Sequence, residues 1–172
     1  MSMRRTPDPQ LRRDRHHRTR VRRRVAYSVD TNILLHASNS ASPHRPRASS
    51  FLEECAHNPE TFCLAWVTVF GYMRITTHPG IFPSPLLPAE ALSNVTALLD
   101  LPQVRVIGEG IDGHAFLREY IEASGEVPAR GNHVPDVHLA AILRHHGVRL
   151  LYTADTDFRR FAYLDVRNPL LP

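Results

Sequence analysis

The stretch Val25–Asn32, with the sequence VAYSVDTN, decides the fold of this chain, because an apolar run ends there abruptly in polar residues. Val25–Val29 is typical of a short strand buried on both faces. The run stops at Asp30, Thr31 and Asn32, after which a second apolar run covers Ile33–Ala37. Four later segments have the same strand-like character, namely Thr61–Ala65, Val104–Ile107, Val148–Tyr152 and Tyr163–Val166.

Segments with helical patterning separate these strands. They cover about Arg47 to Ala56, then Val67–Ile75, Ala89–Leu99, Gly113–Ala123 and Asp136–His146, and a short helical turn covers Asp157–Phe161. Apolar residues occupy most faces of Val67–Ile75, so we expect that helix to be buried. The alternation of strands and helices predicts an α/β fold, a three-layer α/β/α sandwich with a central parallel sheet.

Formal charge divides the chain into an arm and a body. The 172 residues carry a net charge of +4, and every one of the 21 basic side chains is Arg. Residues 1–24 hold ten Arg and two Asp, a charge of +8, which leaves −4 on residues 25–172. We expect residues 1–24 to be a disordered basic arm and residues 25–172 to be the folded domain. Two alternatives for the arm are a segment that orders on RNA or a partner, and a misassigned translation start.

Composition excludes several classes of protein. No run of about 18 apolar residues is present, which argues against a transmembrane helix. The segment from Arg4 to Arg24 is charged with no apolar stretch behind it, unlike a secretory signal peptide. Cys55 and Cys63 are the only cysteines, too few for a disulfide framework or a four-cysteine zinc site. We therefore expect a cytoplasmic protein.

Acidic residues follow two of the predicted strands directly. Asp30 comes after the first strand, and Asp155 and Asp157 come after Val148–Tyr152. Asp136 opens the helix that leads into that second strand. In open α/β sheets, ligands bind beyond the carboxyl ends of the strands, so these acids are expected at one edge of the sheet.

Each acid also has a simpler explanation. Asp30 can close a turn, Asp136 can cap its helix, and Asp155 or Asp157 can cap the following helical turn. Their joint placement favours chemistry, since converging carboxylates repel one another and a divalent cation removes that penalty. Hard oxygen ligands suit Mg²⁺ or Mn²⁺, which can activate water for attack on a phosphodiester.

Three motifs resemble those of PIN-domain ribonucleases, and most closely the VapC toxins of toxin–antitoxin pairs. Ser28–Leu35 (SVDTNILL) resembles the opening strand of that family, and Pro135–Ala141 (PDVHLAA) resembles its later acidic helix start. Tyr152–Phe158 (YTADTDF), followed by Phe161, resembles its closing motif. The stretch from Trp66 to Pro79 and the ending Arg167–Leu170 are similar to one VapC branch. The resemblance covers the acidic body from about Val25 to Leu170 and none of the arm.

The resemblance implies a PIN fold and Mg²⁺- or Mn²⁺-dependent endonucleolytic cleavage of structured RNA, such as tRNA or rRNA. It implies that Asp30 and Asp136 hold metal, that Asp155 joins them as a ligand, and that Asp157 stands beside it in the catalytic set. Asn32 and Thr153 match polar positions that support the acids or place phosphate. It further implies a VapB-like antitoxin that inserts into the active-site groove, and a homodimer to which Val67–Ile75 could contribute.

One position departs from the family pattern. Most PIN nucleases carry a Glu three residues before the position of Arg74, and here that residue is Gly71. Thr61–Gly80 contains no acid, so Glu53, Glu54 and Asp112 are the substitutes considered. The departure predicts weaker or more Mn²⁺-dependent activity, with loss of activity as an alternative.

Two other functions compete with a toxic endoribonuclease. The body could be a catalytically impaired RNA- or protein-binding module, or another phosphate-handling enzyme, although no Gly-rich phosphate loop is present. Because the body is acidic, local Arg side chains would have to bind RNA, and surface roles remain open for each of them. The candidates are Arg74, Arg130 and Arg159, together with Arg144 and Arg160. Trp66 and Tyr72 are predicted to be core aromatics, with base-stacking platforms as the alternative. His133 and His138 flank Asp136 closely enough to touch the site, and a surface role is the prediction for both.

Overall fold

The computed structural model describes residues 25–171, so the predicted basic arm of residues 1–24 lies outside the described residues. A single parallel sheet forms the centre of the fold, with the strand order β3-β2-β1-β4-β5. Its strands are β1 (Ala26–Val29), β2 (Thr61–Ala65), β3 (Val104–Ile107), β4 (Leu150–Tyr152) and β5 (Asp165–Arg167). This order places β1 and β4 side by side, with Tyr27 opposite Leu150 and Val29 opposite Tyr152.

Six helices cover the sheet. They are α1 (Thr31–Ser38), α2 (Arg45–His57), α3 (Trp66–Thr76), α4 (Pro88–Leu99), α5 (Gly113–Glu126) and α6 (Val134–His145). Gly147 follows α6 with φ of 69°, a left-handed conformation that ends the helix at low cost because glycine has no Cβ. The three-layer α/β/α sandwich with a parallel sheet is confirmed.

Each face of the sheet has its own apolar core. One core joins the sheet to α1, α2, α3 and α4, and the other joins it to α5 and α6. Cys55 lies in the first core and Cys63 lies in the second, and both thiols are free and buried. Burial raises the pKa of Cys55 to about 11 and also raises the pKa of Cys63. The two cysteines therefore pack as small apolar side chains on opposite sides of the sheet.

Several expected boundaries and burials need correction. The last strand begins at Asp165, two residues later than predicted, because Tyr163 instead packs beneath the guanidinium groups of Arg144 and Arg149. Ala91 and Val95 form the buried side of α4, whereas Leu92 is exposed.

The helix α3 is only half buried, so the prediction that it is buried throughout is wrong. Val69 and Tyr72 pack into the core, which confirms Tyr72 as a core aromatic. Trp66 is 43% exposed and Phe70 is 62% exposed, so Trp66 is not a core residue. None of the helices in residues 25–171 has the length and apolar character needed to cross a lipid bilayer.

Candidate active site

A cleft of about 370 Å³ opens at the carboxyl edge of the two central strands. Asp30 follows β1, Asp155 lies just beyond β4, and Asp136 lies in the first turn of α6. All three side chains line this cleft, together with Asn32 and Arg74. The topology thus brings together three of the four acids that the sequence assigned to one sheet edge.

A hydrogen-bond network fixes the Asp30 carboxylate. One oxygen accepts from the backbone N–H of Thr31 at 2.6 Å, and the other accepts from the Thr153 hydroxyl at 2.8 Å. The Asn32 side-chain amide donates both to Asp30 and to the Thr153 oxygen, the latter at 2.8 Å. Asn32 also accepts from the Ala154 N–H at 3.1 Å. These bonds tie the end of β1 to the end of β4 and leave Asp30 little freedom to rotate.

The Asp30 carboxyl group stands in an unfavourable electrostatic environment. Burial raises its pKa to about 6, against the opposing hydrogen bonds from Thr153 and Thr31. The charges of Asp136 and Asp155 contribute to this raised pKa. Among residues 25–171, no basic side chain forms an ion pair with Asp30. Negative charge is therefore concentrated at this edge without a protein counter-charge on Asp30.

Asp136 is the third residue of α6 and does not cap the helix. The alternative interpretation of Asp136 as a helix cap is therefore wrong. The residue at the N-cap is His133, whose Nδ1 lies 3.7 Å from an Asp136 carboxylate oxygen. Burial raises the pKa of Asp136, and the charge of Asp155 raises it further, while His133 acts in the opposite direction. His133 thus contacts the site directly.

The two acids at the strand ends, Asp30 and Asp155, both cap a helical segment and line the cleft. Asp30 caps α1 through the Thr31 N–H, and Asp155 caps a 3₁₀ turn over Thr156–Arg160 through the Asp157 N–H at 2.8 Å. Asp157 itself is exposed, and its carboxylate does not belong to the lining of the cleft. It lies near enough to Asp136 to raise the pKa of that group.

The donor set fits a hard divalent cation that keeps part of its water shell. Carboxylate oxygens are the ligands that Mg²⁺ and Mn²⁺ prefer, and Mg²⁺ is usually held by only one or two of them. Within the described part of the chain, no three His, Cys, Asp or Glu side chains close around a single point. The cleft therefore resembles an open platform of acids more than a closed protein cage.

The candidate RNA-binding arginines fall into different settings. Arg74 is exposed and lines the cleft, whereas Arg130 and Arg159 are exposed outside its lining, as is Arg160. Arg144 is engaged by three glutamates of α5, with its nitrogens 2.9, 3.6 and 3.3 Å from Glu119, Glu122 and Glu126. These ion pairs link α6 to α5, and we therefore no longer expect Arg144 to bind RNA.

Gly71 lies on the wall of the cleft, at the position where the family pattern has an acid. None of the three substitutes considered reaches this wall. Glu54 pairs with Arg47 at 2.7 Å, Asp112 caps α5, and Glu53 lines a separate groove beside α2 and α4. Their positions therefore do not support any of these three candidates as a substitute for the missing acid.

Sequence reasoning missed Glu109. This residue follows β3 by two positions, so the rule that singled out Asp30 and Asp155 also applies to it. Its carboxylate lies 2.7 Å from His138 Nε2, and both side chains line a pocket that adjoins the cleft. A backbone hydrogen bond is the main cause of the lowered pKa of Glu109, and the hydrogen bond to His138 lowers that pKa further. His138 therefore contacts Glu109 and not Asp136.

Comparisons with known proteins agree with this architecture. The PIN domain family model matches residues 27–164. Ribonuclease VapC48 of Mycobacterium tuberculosis is 36% identical over 84% of this chain and 98% of its own length. Ribonuclease VapC43 of the same organism is 30% identical over 83% of this chain and 94% of its own length.

Solved structures show the same fold at lower identity. VapBC2 from Rickettsia felis, solved bound to a DNA fragment from its promoter, matches with a TM-score of 0.60 and 19% identity, covering 84% of this chain and 98% of that one. VapC20 of Mycobacterium tuberculosis, described as a toxin that cleaves the sarcin–ricin loop, matches with a TM-score of 0.58 and 18% identity, covering 82% and 98%.

Proposed function

The chain belongs to the PIN domain family and within it to the VapC ribonucleases, and we propose that it is a divalent-metal-dependent endoribonuclease acting as the toxin of a toxin–antitoxin pair. One observation carries the proposal, namely the convergence of Asp30, Asp136 and Asp155 on a single cleft. A buried carboxylate with two acidic neighbours and no basic partner is costly unless a cation joins it.

In this proposal Asp30, Asp136 and Asp155 hold Mg²⁺ or Mn²⁺, which when bound supplies an activated water and stabilises charge developing on the phosphate. Asn32 and Thr153 keep the Asp30 carboxylate in one orientation, which pre-organises it for the cation. Asp157 stands beside the site and orients Asp155 through its backbone N–H. Arg74, on the wall of the cleft, is placed to contact a phosphate of the RNA.

Substitution of single carboxylates tests the proposal. Asp30→Asn and Asp136→Asn should abolish Mn²⁺- or Mg²⁺-dependent cleavage of RNA and growth arrest on expression. Asp100→Asn, an exposed acid at the end of α4, is the matched control and should remain active. Circular dichroism must show that both site variants are folded. Full cleavage by folded Asp30→Asn protein would contradict the assignment.

A catalytically impaired RNA-binding module is the second candidate, favoured by the presence of Gly71 on the cleft wall. The same assay separates the two functions. RNA binding by the parent protein with no cleavage at any Mn²⁺ concentration supports the module, whereas metal-dependent cleavage excludes it.

We also propose a VapB-like antitoxin and a second copy of this chain as partners. The first rests on membership of the VapC group and on the acidic cleft, which suits a basic side chain of an inhibitor. The second rests on the exposed apolar side chains Leu117 and Ile121, one turn apart on α5. Sedimentation velocity of the chain alone and with its antitoxin tests both. Such a toxin would act in the cytoplasm, where tRNA and rRNA are.

A further inference from the structure

An exposed aromatic pair extends along α3 away from the carboxylate cleft. Trp66, Phe70 and Arg74 are spaced four residues apart, so they follow one another along one face of the helix. The rings of Trp66 and Phe70 are stacked, with centroids 5.6 Å apart and an interplanar angle of 25°. Since both rings are substantially exposed, they present flat aromatic surface to solvent at the mouth of the site.

This surface forms one wall of a pocket of about 570 Å³, a volume within the usual range of ligand sites. The pocket is continuous with the carboxylate cleft, because Val67, Gly71, Arg74 and Pro135 line both. A molecule held at the carboxylates can therefore extend into the pocket without leaving the protein surface.

The charges around the pocket favour one orientation of a nucleotide. Arg74 stands at the junction with the cleft, and within residues 25–171 no carboxylate forms an ion pair with it. The pocket lining also includes the Glu109 carboxylate, fixed by its bond to His138. A phosphate is attracted to Arg74 and repelled by Glu109, so the uncharged base is the part of a nucleotide that suits the pocket.

On the premise of the endoribonuclease activity proposed above, we propose that this pocket binds an unstacked base of single-stranded RNA. The base stacks on the Trp66 and Phe70 surface, and Arg74 contacts the phosphate that links this base to the nucleotide in the carboxylate cleft. Aromatic platforms next to a basic side chain are a general means of holding single-stranded RNA, because every base has a π face. The site would therefore select unpaired RNA over a duplex, whose bases are already stacked.

The chain provides its own probe for this contact, since Trp66 is its only tryptophan. We would titrate full-length Asp30→Asn protein in EDTA, so that RNA is not cut, with a ten-nucleotide single-stranded RNA. Binding is followed by fluorescence anisotropy of the labelled RNA and, separately, by Trp66 emission with unlabelled RNA. An abasic ten-mer has the same phosphates without bases and is the matched ligand. We expect RNA to quench Trp66 emission and the abasic ten-mer to leave it unchanged.

Variants of the aromatic wall give the second measurement. Trp66→Ala and Phe70→Ala should each weaken RNA binding by about five-fold to about 150-fold, the range of base–aromatic stacking. Trp66→Phe keeps a stacking ring and should stay within about three-fold of the parent. Leu92→Ala removes an exposed apolar side chain from α4 and should leave binding unchanged.

Binding of the labelled RNA without quenching of Trp66, and with unchanged affinity in Trp66→Ala, would overturn the proposal. The proposal would also fail if RNA does not quench Trp66 emission in the parent and sedimentation velocity shows that Trp66→Ala is a monomer where the parent is a dimer. The aromatic surface would then be a contact between two copies of the chain. Cleavage by wild-type protein with Mn²⁺ is scored on a gel in parallel. Quenching without cleavage would support the base pocket and count against the proposed nuclease, so the two failures are distinguishable.

Discussion

Thr153 donates its hydroxyl hydrogen bond to the Asp30 carboxylate at 2.8 Å, joining residues that are 123 positions apart in the chain. Thr153 is buried, and its oxygen also accepts from Asn32 and from the Asp155 N–H. One side chain thus connects two of the acids in the cleft. The orientation of Asp30 depends on the pairing of β1 with β4, and so on the folding of the whole sheet.

Replacing Thr153 with Val keeps the shape of the side chain and removes the hydroxyl. We expect the free energy of unfolding to fall by about 1–3 kcal/mol, because Asn32 and the Asp155 N–H lose a buried acceptor. The affinity for Mn²⁺ should fall as Asp30 gains freedom. Urea unfolding and calorimetric titration measure the two effects. Thr96→Val, at an exposed hydroxyl on α4, is the control, and an equal loss there would remove the special role of Thr153.

The raised pKa of Asp30 makes the metal-free protein sensitive to pH. The folded state holds this proton up to about pH 6, whereas the unfolded chain releases it near the ordinary carboxyl pKa of 3.8. Because the folded state binds more protons between these values, stability falls as the pH rises from about 4 through 6 and stays lower above it. The loss is at most about 3 kcal/mol.

Urea midpoints measured in EDTA between pH 4 and pH 8 test this dependence. Asp30→Asn should flatten the curve over that interval, and saturating Mg²⁺ should restore stability at pH 7.5 in the parent but not in the variant. A parent protein that gains stability from pH 4 to pH 7 in EDTA would show that Asp30 is not the dominant group.

Gly71→Glu should strengthen Mn²⁺ binding by restoring an acid on the cleft wall. A Cβ at this position would lie 3.2 Å from the Thr31 Oγ1, so Thr31 must shift by a few tenths of an ångström. Replacing a glycine inside a helix stabilises the folded state by up to about 1 kcal/mol. This gain offsets the cost of moving Thr31, so the net change in the free energy of unfolding should be small. Gly71→Gln has the same size without the charge. If both variants bind Mn²⁺ equally, the added carboxylate does not reach the metal.

Arg144→Leu should destabilise the domain and leave RNA binding intact. Three glutamates of α5 lose their shared cation, which we expect to cost about 1 kcal/mol in a partly exposed network. Arg74→Ala should show the reverse pattern, with weaker RNA binding and little change in stability. Thermal unfolding and RNA anisotropy on both variants check the assignment. If Arg144→Leu loses RNA affinity and Arg74→Ala does not, Arg144 and not Arg74 is the side chain that binds RNA.

The basic arm makes a separate prediction. If residues 1–24 contact phosphates, deleting them should flatten the dependence of RNA affinity on salt concentration, because fewer counterions are released. Affinity measured at four salt concentrations for the full chain and for residues 25–172 gives the two slopes. Identical slopes would identify the arm as a segment that takes no part in binding RNA.

The sequence predicted the sheet and the acidic edge well, because both depend on local patterns. Thr61–Ala65 and Val104–Ile107 match β2 and β3 residue for residue. The edge strand β5 was misplaced because its three residues, Asp165–Arg167, carry little apolar pattern.

The predictions that were wrong concern features that only the assembled fold determines. An apolar pattern around the whole of α3 is equally compatible with a core helix and with the exposed Trp66 and Phe70. The charge of Arg144 does not reveal that three glutamates surround it. Glu109 was within reach of sequence reasoning, since the strand-end rule needed only to be applied to β3 as well.

The positions of Cys55 and Cys63 make the stability of the two layers separately measurable. Each thiol is buried in a different core, and a raised pKa keeps it in the unreactive protonated form. A thiol reagent can modify either one only after the surrounding layer opens. Mass spectrometry of the modified peptides would therefore time the opening of the two helical layers independently, and equal rates would indicate that the sandwich opens as one cooperative unit.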